Sequence, residues 1–158
     1  MTQKEFHLDN LATSRLLAGR LSALLKTGDI IAFEGELGSG KTEFCRAIIH
    51  AIGYDEDVPS PTFNLVQIYE PEVDDLITPS VWHMDLYRLE NPEEVFELGI
   101  EDGFDTAITL IEWPNRMGHY LPQEHLKIKL SSTDIEGERK IVFSGNDYWK
   151  VRLKELEL

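Results

Sequence analysis

The chain has 158 residues, and its 42% hydrophobic content is enough for one domain with a single core. The 29 acidic and 15 basic residues give a net charge of −14, and a surface that acidic repels the phosphates of nucleic acids. The sequence has no run of roughly 18 apolar residues for a membrane span, no apolar N-terminal signal segment and only one cysteine, so we expect a cytoplasmic location.

The first predicted elements are a helix, a strand and a second helix. The first helix has an apolar stripe at helical spacing, formed by Leu17, Leu21, Leu24 and Leu25. Asp9 or Thr13 is its expected N-cap, and Thr27-Gly28 ends it. A buried strand over residues 29–34 precedes a glycine-rich loop, and a helix then runs to about Ile52. This order is typical of a phosphate-binding α/β unit.

Two strands and a short helix are predicted in the middle of the sequence. Residues 55–61 are acidic and contain two prolines, which predicts a loop. Residues 63–70 and 80–88 are predicted strands, joined by the acidic loop 71–79. Asn91 is the expected cap of a short helix whose first residue is Pro92.

The rest of the chain adds a buried strand, a hairpin and a helix. The strand covers residues 106–111, and the hairpin pairs residues 126–130 with 140–143 around Glu136-Gly137. A final helix covers about 146–157. We therefore predict a single domain over residues 1–158, with an α/β P-loop nucleotide-binding three-layer fold whose mixed sheet carries antiparallel additions.

Residues 35–42, GELGSGKT, fit the phosphate-loop pattern G-x-x-x-x-G-K-[ST]. Three glycines let successive backbone N–H groups surround a phosphate: Gly35, Gly38 and Gly40. Lys41 is expected to reach the β- and γ-phosphates, and the Thr42 hydroxyl to ligate Mg²⁺. The alternative, a glycine-rich turn with an incidental Lys-Thr pair, is disfavoured by the strand and the helix that flank it.

Residues 107–112 are a mostly apolar strand that ends in a carboxylate, as a Walker-B strand does. Glu112 is therefore a candidate Mg²⁺ ligand, directly or through water, and Trp113-Pro114 follow it. The alternative is an ordinary strand-end glutamate in solvent. The abrupt change from apolar to acidic residues, with a large aromatic residue beside it, favours the functional interpretation.

Residues 81–88 alternate in polarity, so two faces of the predicted strand differ. The core face would hold Trp82, Met84 and Leu86, and the opposite face His83, Asp85 and Tyr87. On the polar face, Asp85 could bind metal or orient a water molecule, with His83 holding Asp85 in place. A half-exposed strand with a polar side fits the spacing equally well.

Residues 60–63, SPTF, follow a proline-restricted loop, and a Ser/Thr pair there can contact a γ-phosphate as switch loops do. An ordinary turn is the alternative. Arg88 and Arg116 are the candidate cations for the γ-phosphate, although most arginines form surface pairs.

Four segments, taken together and in this order, resemble the bacterial TsaE (YjeE) family. They are residues 35–42 (GELGSGKT), 60–63 (SPTF), 83–88 (HMDLYR) and 111–114 (IEWP). The phosphate loop is common to many families, but the other three motifs at these separations are specific to this one. TsaE proteins are small ATPases of tRNA threonylcarbamoyladenosine biosynthesis, and the resemblance covers roughly residues 8–130.

The resemblance implies that ATP or ADP and Mg²⁺ are the cofactors. It implies that Lys41, Asp85 and Glu112 are catalytic, and that Thr42 binds the metal with Glu112 and Asp85. It also implies a functional tryptophan at Trp113 and a switch-like loop at residues 60–63. The expected nucleotide contacts are Gly35, Gly38, Ser39, Gly40, Lys41, Thr42, Glu43, Ser60, Thr62 and Trp113.

The resemblance further implies two partner proteins, TsaD and TsaB, which transfer a threonylcarbamoyl group to the adenosine next to the anticodon of ANN-decoding tRNAs. In that scheme ATP binding docks the chain on the pair, and hydrolysis resets the complex. Direct tRNA contact by this chain is not expected, because of its negative charge. From charge alone, the excess of acid serves either solubility or matching to a basic partner.

Two other functions are compatible with a phosphate loop. A small-molecule kinase would need an acceptor pocket and an arginine-rich lid, and the sequence shows neither. A regulatory module that binds nucleotide with negligible hydrolysis would have the same motifs, so ATPase rates with and without partners are needed to distinguish it.

Overall fold

A computed structural model describes residues 1–61 and 64–158, so the expectations for Thr62 and Phe63 lie outside the described residues. Seven strands of the described part form one sheet: β1 (Thr2–Leu8), β2 (Ile30–Glu34), β3 (Val66–Tyr69), β4 (Ser80–Asp85), β5 (Ala107–Glu112), β6 (Leu126–Ser132) and β7 (Arg139–Gly145). The α-helices of this part are α1 (Leu11–Ser22), α2 (Lys41–Ile52), α3 (Ile100–Thr106) and α4 (Asp147–Glu155), and 3₁₀ segments cover Pro92–Leu98 and Pro114–Tyr120. None of the helices described combines the length and the apolar character that crossing a membrane requires.

The strands lie in the order β1-β7-β6-β2-β5-β4-β3, and their directions are mixed. β2 is parallel to β5 and β6, and β5 is also parallel to β4. β3, β7 and β1 are antiparallel additions. The predicted α/β fold with a mixed sheet is therefore confirmed. Because parallel strands end at the same edge, Glu34, Asp85 and Glu112 all terminate strands on one side of the sheet.

Two clusters of buried apolar side chains cover opposite faces of the sheet. Ile31 and Phe33 belong to the cluster that contains residues of α1, α2 and α4, whereas Ile30 belongs to the cluster with residues of α3 and the 3₁₀ segments. In β5, Leu110 belongs to the first of these clusters and Ile111 to the second. Successive strand residues point to opposite faces, so these strands are covered on both sides and the fold has three layers. That burial explains why their sequences are almost continuously apolar.

The helix caps differ in part from the expectation. Asn10, rather than Asp9 or Thr13, is the N-cap of α1, and its Oδ1 accepts a hydrogen bond from the Thr13 backbone N–H at 2.9 Å. Asp9, Asn10 and Thr13 are all polar and could each serve as a cap, but it is Asn10 that has the extended backbone of an N-cap. Pro92 begins a 3₁₀ segment rather than an α-helix.

Two elements were not expected from the sequence. β1 is an edge strand that pairs only with β7 in the described sheet, more than 130 residues away, with Thr2 opposite Gly145. α3 is a short helix that follows Gly99, whose φ angle is 73°. β4 is also shorter than expected, since it ends at Asp85 rather than continuing through Arg88.

A buried ion pair fixes α4 to the strand that precedes the phosphate loop. Arg152 donates from Nη1 and Nη2 to the two carboxylate oxygens of Asp29, at 2.6 and 3.1 Å. The Asp29 side chain is fully buried, and the Tyr148 hydroxyl also donates to it at 3.2 Å. The Arg152 guanidinium lies 3.9 Å from the centre of the Trp149 ring. The C-terminal helix is thus fixed to the residue that directly precedes β2.

Candidate functional site

The phosphate-loop residues connect β2 to α2 in a conformation that requires glycine. Gly35, Gly38 and Gly40 have φ angles of 150°, 80° and 102°, which other residues rarely adopt. A Cβ atom on Gly35 would lie 2.5 Å from the Ser39 hydroxyl oxygen and 2.6 Å from the Leu130 carbonyl oxygen. α2 begins directly after the loop, so its unpaired N-terminal N–H groups face the same space, which favours an anion there.

Lys41 is buried beside the loop and has only 5% of its surface exposed. Its Nζ donates to the carbonyl oxygens of Gly35 and Glu36 at 2.6 and 2.9 Å. The same ammonium group lies 4.4 Å from the centre of the Trp113 ring, a cation–π distance. Burial lowers the pKa of Lys41 from its ordinary value, while nearby carboxylates oppose that change. The hydrogen bonds of the Lys41 ammonium thus lie within the loop that would receive a phosphate.

A chain of hydrogen bonds links Thr42, Glu112 and His83 beneath the loop. The Thr42 hydroxyl donates to Glu112 Oε1 at 2.8 Å, and His83 Nε2 lies 2.7 Å from Glu112 Oε2. The side chains of His83 and Glu112 are 0% and 2% exposed. A buried carboxylate is costly unless its oxygens are hydrogen-bonded, and here each oxygen has a partner. Glu112 is therefore held in one orientation rather than exposed as a strand-end glutamate.

The position of His83 corrects one expectation from the sequence. Its Nε2 hydrogen bond is with Glu112 on the adjacent strand, not with Asp85 on its own strand. Two residues along a strand span about 6.6 Å, so the neighbouring strand offers the nearer partner. Asp85 Oδ1 instead accepts a hydrogen bond from the Tyr87 backbone N–H at 3.0 Å. Both faces of the sheet are covered, so the polar face of β4 is buried and not half-exposed: His83 and Asp85 have 0% and 6% of their surface exposed.

A cavity of about 350 Å³ opens between the phosphate loop, the start of α2 and the ends of β4 and β5. It brings together most of the predicted site residues: Gly38, Gly40, Lys41, Thr42, Glu43, Ser60, Asp85, Glu112 and Trp113. A larger cavity of about 780 Å³ lies on the other side of the loop, and its lining includes Gly35, Ser39 and Trp113. Two cavities thus meet at the loop and at Trp113.

Arg46 is a site residue that the sequence analysis did not consider. It lines the smaller cavity, where its Nη1 pairs with Glu43 Oε2 at 2.5 Å and its Nε donates to the Val58 carbonyl oxygen at 3.0 Å. Arg88 and Arg116, the cations considered, have exposed side chains. Helical spacing could have pointed to Arg46, because a residue four positions after Thr42 lies on the same face of α2.

Trp113 adopts a left-handed backbone conformation, with φ of 58° and ψ of 53°. A non-glycine residue there costs about 1–3 kcal/mol and persists only when its surroundings impose it. The Trp113 ring lies 4.9 Å from the Tyr87 ring, centre to centre, and beside the Lys41 ammonium. A following proline favours an extended backbone, so the left-handed conformation is imposed by these contacts and not by buried Pro114. The indole lies at the junction of the two cavities.

The segment before β3 is attached to β4 at Asp85. The Leu65 N–H donates to the Pro61 carbonyl oxygen at 2.7 Å, and the Asp85 N–H donates to the Leu65 carbonyl oxygen at 3.0 Å. Ser60 lines the smaller cavity at the start of this segment. Two backbone hydrogen bonds thus link Pro61 to Asp85 through Leu65.

The donors of the smaller cavity fit a hard divalent cation. The Thr42 hydroxyl and the carboxylates of Asp85 and Glu112 are oxygen ligands, the type that Mg²⁺ prefers. The Thr42 hydroxyl uses its hydrogen on Glu112, which leaves its lone pairs for a metal. Cys45 also lies near His83 and Glu112, and burial raises the pKa of its thiol well above the ordinary value. It belongs to the buried apolar cluster that includes residues of α1, α2 and α4.

Known proteins resemble this chain over most of its length. The family described as "Threonylcarbamoyl adenosine biosynthesis protein TsaE" matches residues 8–141. A protein named tRNA threonylcarbamoyladenosine biosynthesis protein TsaE from Rickettsia bellii is 36% identical, over 94% of this chain and 99% of its own. A protein of the same name from Bacillus subtilis is 34% identical, over 94% of this chain and 90% of its own. A solved structure titled "Crystal structure of Bacillus subtilus YdiB" has a TM-score of 0.78 and 27% identity, and the match covers 98% of this chain and 94% of that one.

Proposed function

The chain belongs to the TsaE family of tRNA threonylcarbamoyladenosine biosynthesis, and we propose that it serves this pathway by binding and hydrolysing ATP. The observation that supports this most strongly is the Thr42–Glu112–His83 hydrogen-bond chain beneath a loop that requires glycine. The concave loop lies next to hydrogen-bonded oxygen atoms that could hold a metal, which is the arrangement that phosphoryl chemistry needs.

Each site residue has a distinct role in the proposal. Lys41 turns its ammonium from the loop carbonyls to the β- and γ-phosphates. Thr42 and Glu112 would hold Mg²⁺, which would supply positive charge against the phosphate oxygens when bound. Asp85, tied to the Leu65 carbonyl, orients the attacking water molecule. The larger cavity beside the loop has room for the base and ribose.

We place this chain as an accessory of a tRNA-modifying pair, TsaD and TsaB, in the cytoplasm. The partners would contact the tRNA, since a chain with a net charge of −14 is unsuited to do so. Trp113 and Ser60 lie at the cavity, where a γ-phosphate can favour one arrangement over another. Nucleotide state would thereby control the docking contact that Trp113 and Ser60 make with the pair, and hydrolysis would reset that contact.

Calorimetric titration of ATP with Mg²⁺ tests the nucleotide site. Charge-assisted hydrogen bonds contribute about 1.5–3 kcal/mol each, so Lys41→Ala should weaken affinity about tenfold to a hundredfold. Lys150→Ala, which removes an exposed lysine on α4, is the matched control and should bind as the wild type does. Equal affinity of Lys41→Ala and Lys150→Ala would refute the proposal.

The two carboxylates should separate binding from turnover. Glu112→Gln is expected to reduce the Mg²⁺-dependent part of the affinity, whereas Asp85→Asn should keep affinity and lower the ATPase rate. The rates are measured with and without TsaD and TsaB. Wild-type rates in both variants would show that the assignment is wrong, and negligible wild-type hydrolysis with partners present would favour a regulatory binding module instead.

A further inference from the structure

The connection between β3 and β4, residues 70–79, exposes three large aliphatic side chains. Val73 is 99% exposed, and Leu76 and Ile77 are each 93% exposed. Single exposed apolar residues are normal on protein surfaces, but adjacent ones mark interaction sites. We call this segment the 70–79 loop.

The 70–79 loop is held in one shape by Asp75. The Asp75 Oδ1 atom accepts hydrogen bonds from the backbone N–H groups of Ile77 and Thr78, each at 2.9 Å. The Asp75 N–H in turn donates to the Glu72 carbonyl oxygen at 2.9 Å. Hydrogen bonds from Thr78 and Ile77 lower the pKa of the Asp75 carboxyl from its ordinary value, so it is ionised at neutral pH. A pre-ordered loop loses little conformational freedom on binding, which favours association.

The base of the loop is packed against the end of α2. The Tyr54 hydroxyl donates to the Pro79 carbonyl oxygen at 2.8 Å, and the Tyr54 ring lies 5.7 Å from that of Tyr69. Both tyrosines are buried. The aliphatic tip therefore projects from a fixed base, and it does not fold back onto the core.

The stretch of sequence that carries the tip is acidic. Residues 47–87 contain no lysine or arginine, and their acidic residues are Asp55, Glu56, Asp57, Glu70, Glu72, Asp74, Asp75 and Asp85. Burial, followed by the carboxylates of Asp75, Glu56 and Glu70, raises the pKa of Tyr54, which places these three charges around the loop base. Nucleic acids, anionic membranes and a second copy of this acidic chain are all unfavourable neighbours for such a surface. A basic surface with an apolar pocket is its complement.

The loop is also remote from the nucleotide site. It leads into Ser80 at the start of β4, whereas Asp85 ends the same strand at the smaller cavity. Five steps of about 3.3 Å separate these ends by about 16 Å along the strand. Contacts at the loop are thus not expected to depend on which nucleotide is bound.

We propose that the 70–79 loop is a docking surface for a partner protein that presents an apolar pocket within a basic surface. Leu76 and Ile77 enter the pocket, and the surrounding carboxylates speed association. This inference rests on the proposed function for the choice of partner, which is the TsaD–TsaB pair.

The test compares variants of the loop with a matched exposed residue elsewhere. The double variant Leu76→Ser with Ile77→Ser is expected to bind purified TsaD–TsaB at least tenfold more weakly, by calorimetry with ATP and with ADP. Ile135→Ser, which changes a 62% exposed aliphatic residue between β6 and β7, should bind as the wild type does. The charge variant Glu72→Lys with Asp74→Lys should lower the association rate, and added salt should slow the wild type more than this variant.

The outcomes distinguish this inference from the proposed function. Equal affinity of the wild type and the serine double variant would overturn the docking surface and leave the ATPase proposal intact. A wild type that binds ATP but does not bind the pair would overturn both the partner assignment and the docking surface. A wild-type dimer that the double variant dissociates would show that the tip contacts a second copy, which also contradicts the inference. Unchanged ATP affinity and thermal unfolding confirm that each variant is folded.

Discussion

Replacing His83 tests whether the orientation of Glu112 matters for metal binding. His83→Leu keeps an apolar side chain of moderate size in the buried position but removes the Nε2 donor. His83→Gln is the matched variant, because its side-chain amide nitrogen can reach about the same place as Nε2. In the wild type that nitrogen lies 2.7 Å from Glu112 Oε2, while Nδ1 has no hydrogen-bond partner among the described residues.

The expected cost follows from burial and charge. A hydrogen bond to a charged group contributes about 1.5–3 kcal/mol, and a buried acceptor left without it bears the full desolvation penalty. Because the pair is almost fully buried, solvent cannot replace the lost donor. His83→Leu should therefore lower the free energy of unfolding by about 1.5–3 kcal/mol, a large share of the 5–15 kcal/mol typical of a domain.

Loss of the His83 Nε2 donor should also weaken Mg²⁺ binding by the proposed metal ligands. Thr42 still donates to Oε1, but the second oxygen of Glu112 is free to rotate away from the cavity. Mg²⁺-dependent ATP affinity should fall about tenfold or more, since about 1.4 kcal/mol corresponds to a factor of ten. His83→Gln should restore most of both quantities.

Calorimetry with Mg²⁺ and with EDTA, beside urea unfolding, measures the two effects separately. Affinity in EDTA should be alike in the wild type and both variants, because His83 contacts the carboxylate and not the phosphate loop. If His83→Leu loses stability but retains the Mg²⁺-dependent affinity, His83 only fills the core. Failure of His83→Gln to recover that affinity would likewise contradict the hydrogen-bond explanation.

Two further predictions concern the loop and its support. Gly35→Ala should abolish most nucleotide affinity, because its Cβ would clash with the Ser39 hydroxyl oxygen at 2.5 Å and the Leu130 carbonyl oxygen at 2.6 Å. Gly19→Ala in α1 is the control, since a Cβ there meets nothing within 4 Å. This variant should bind nucleotide normally and gain up to about 1 kcal/mol of stability. Arg152→Met should lower stability by about 3–5 kcal/mol in urea unfolding, since it leaves the buried Asp29 charge without its cation, and adding Asp29→Asn should recover part of the loss. A double variant no more stable than Arg152→Met alone would contradict the ion-pair explanation.

The sequence predicts local features of the site well because they depend on neighbouring residues. The glycines of residues 35–40 impose their backbone directly, and Glu112 is visible as the acid that ends an apolar strand. Asp85 lies beside Glu112 because β4 ends at Asp85 and is parallel to β5. The predicted strand extends to Arg88, so the sequence did not place these two carboxylates at one edge.

Features that depend on contacts between distant segments could not be predicted in this way. The partner of His83 follows from the register of β4 against β5, which alternation along one strand does not specify. β1 is an exposed edge strand whose only described strand neighbour is β7, so its own seven residues carry a weak signal. Arg46 is different, because its spacing from Thr42 on α2 was available and only its contact with Val58 required the structure.

The positions of Trp113 and the 70–79 loop suggest how ATP could regulate a complex without dissolving it. Trp113 lies at the two cavities proposed to hold the nucleotide, so a γ-phosphate could change what it and Ser60 offer to a partner. The loop, at the other end of β4, would offer the same contact in every nucleotide state. A ligand shifts a conformational equilibrium only by as much as its affinities for the two states differ. ATP binding therefore needs to change only the contact at Trp113, and not the contact at the loop. While the loop stays docked, the released surface remains at high effective concentration near its partner, and rebinding after nucleotide exchange is an intramolecular step.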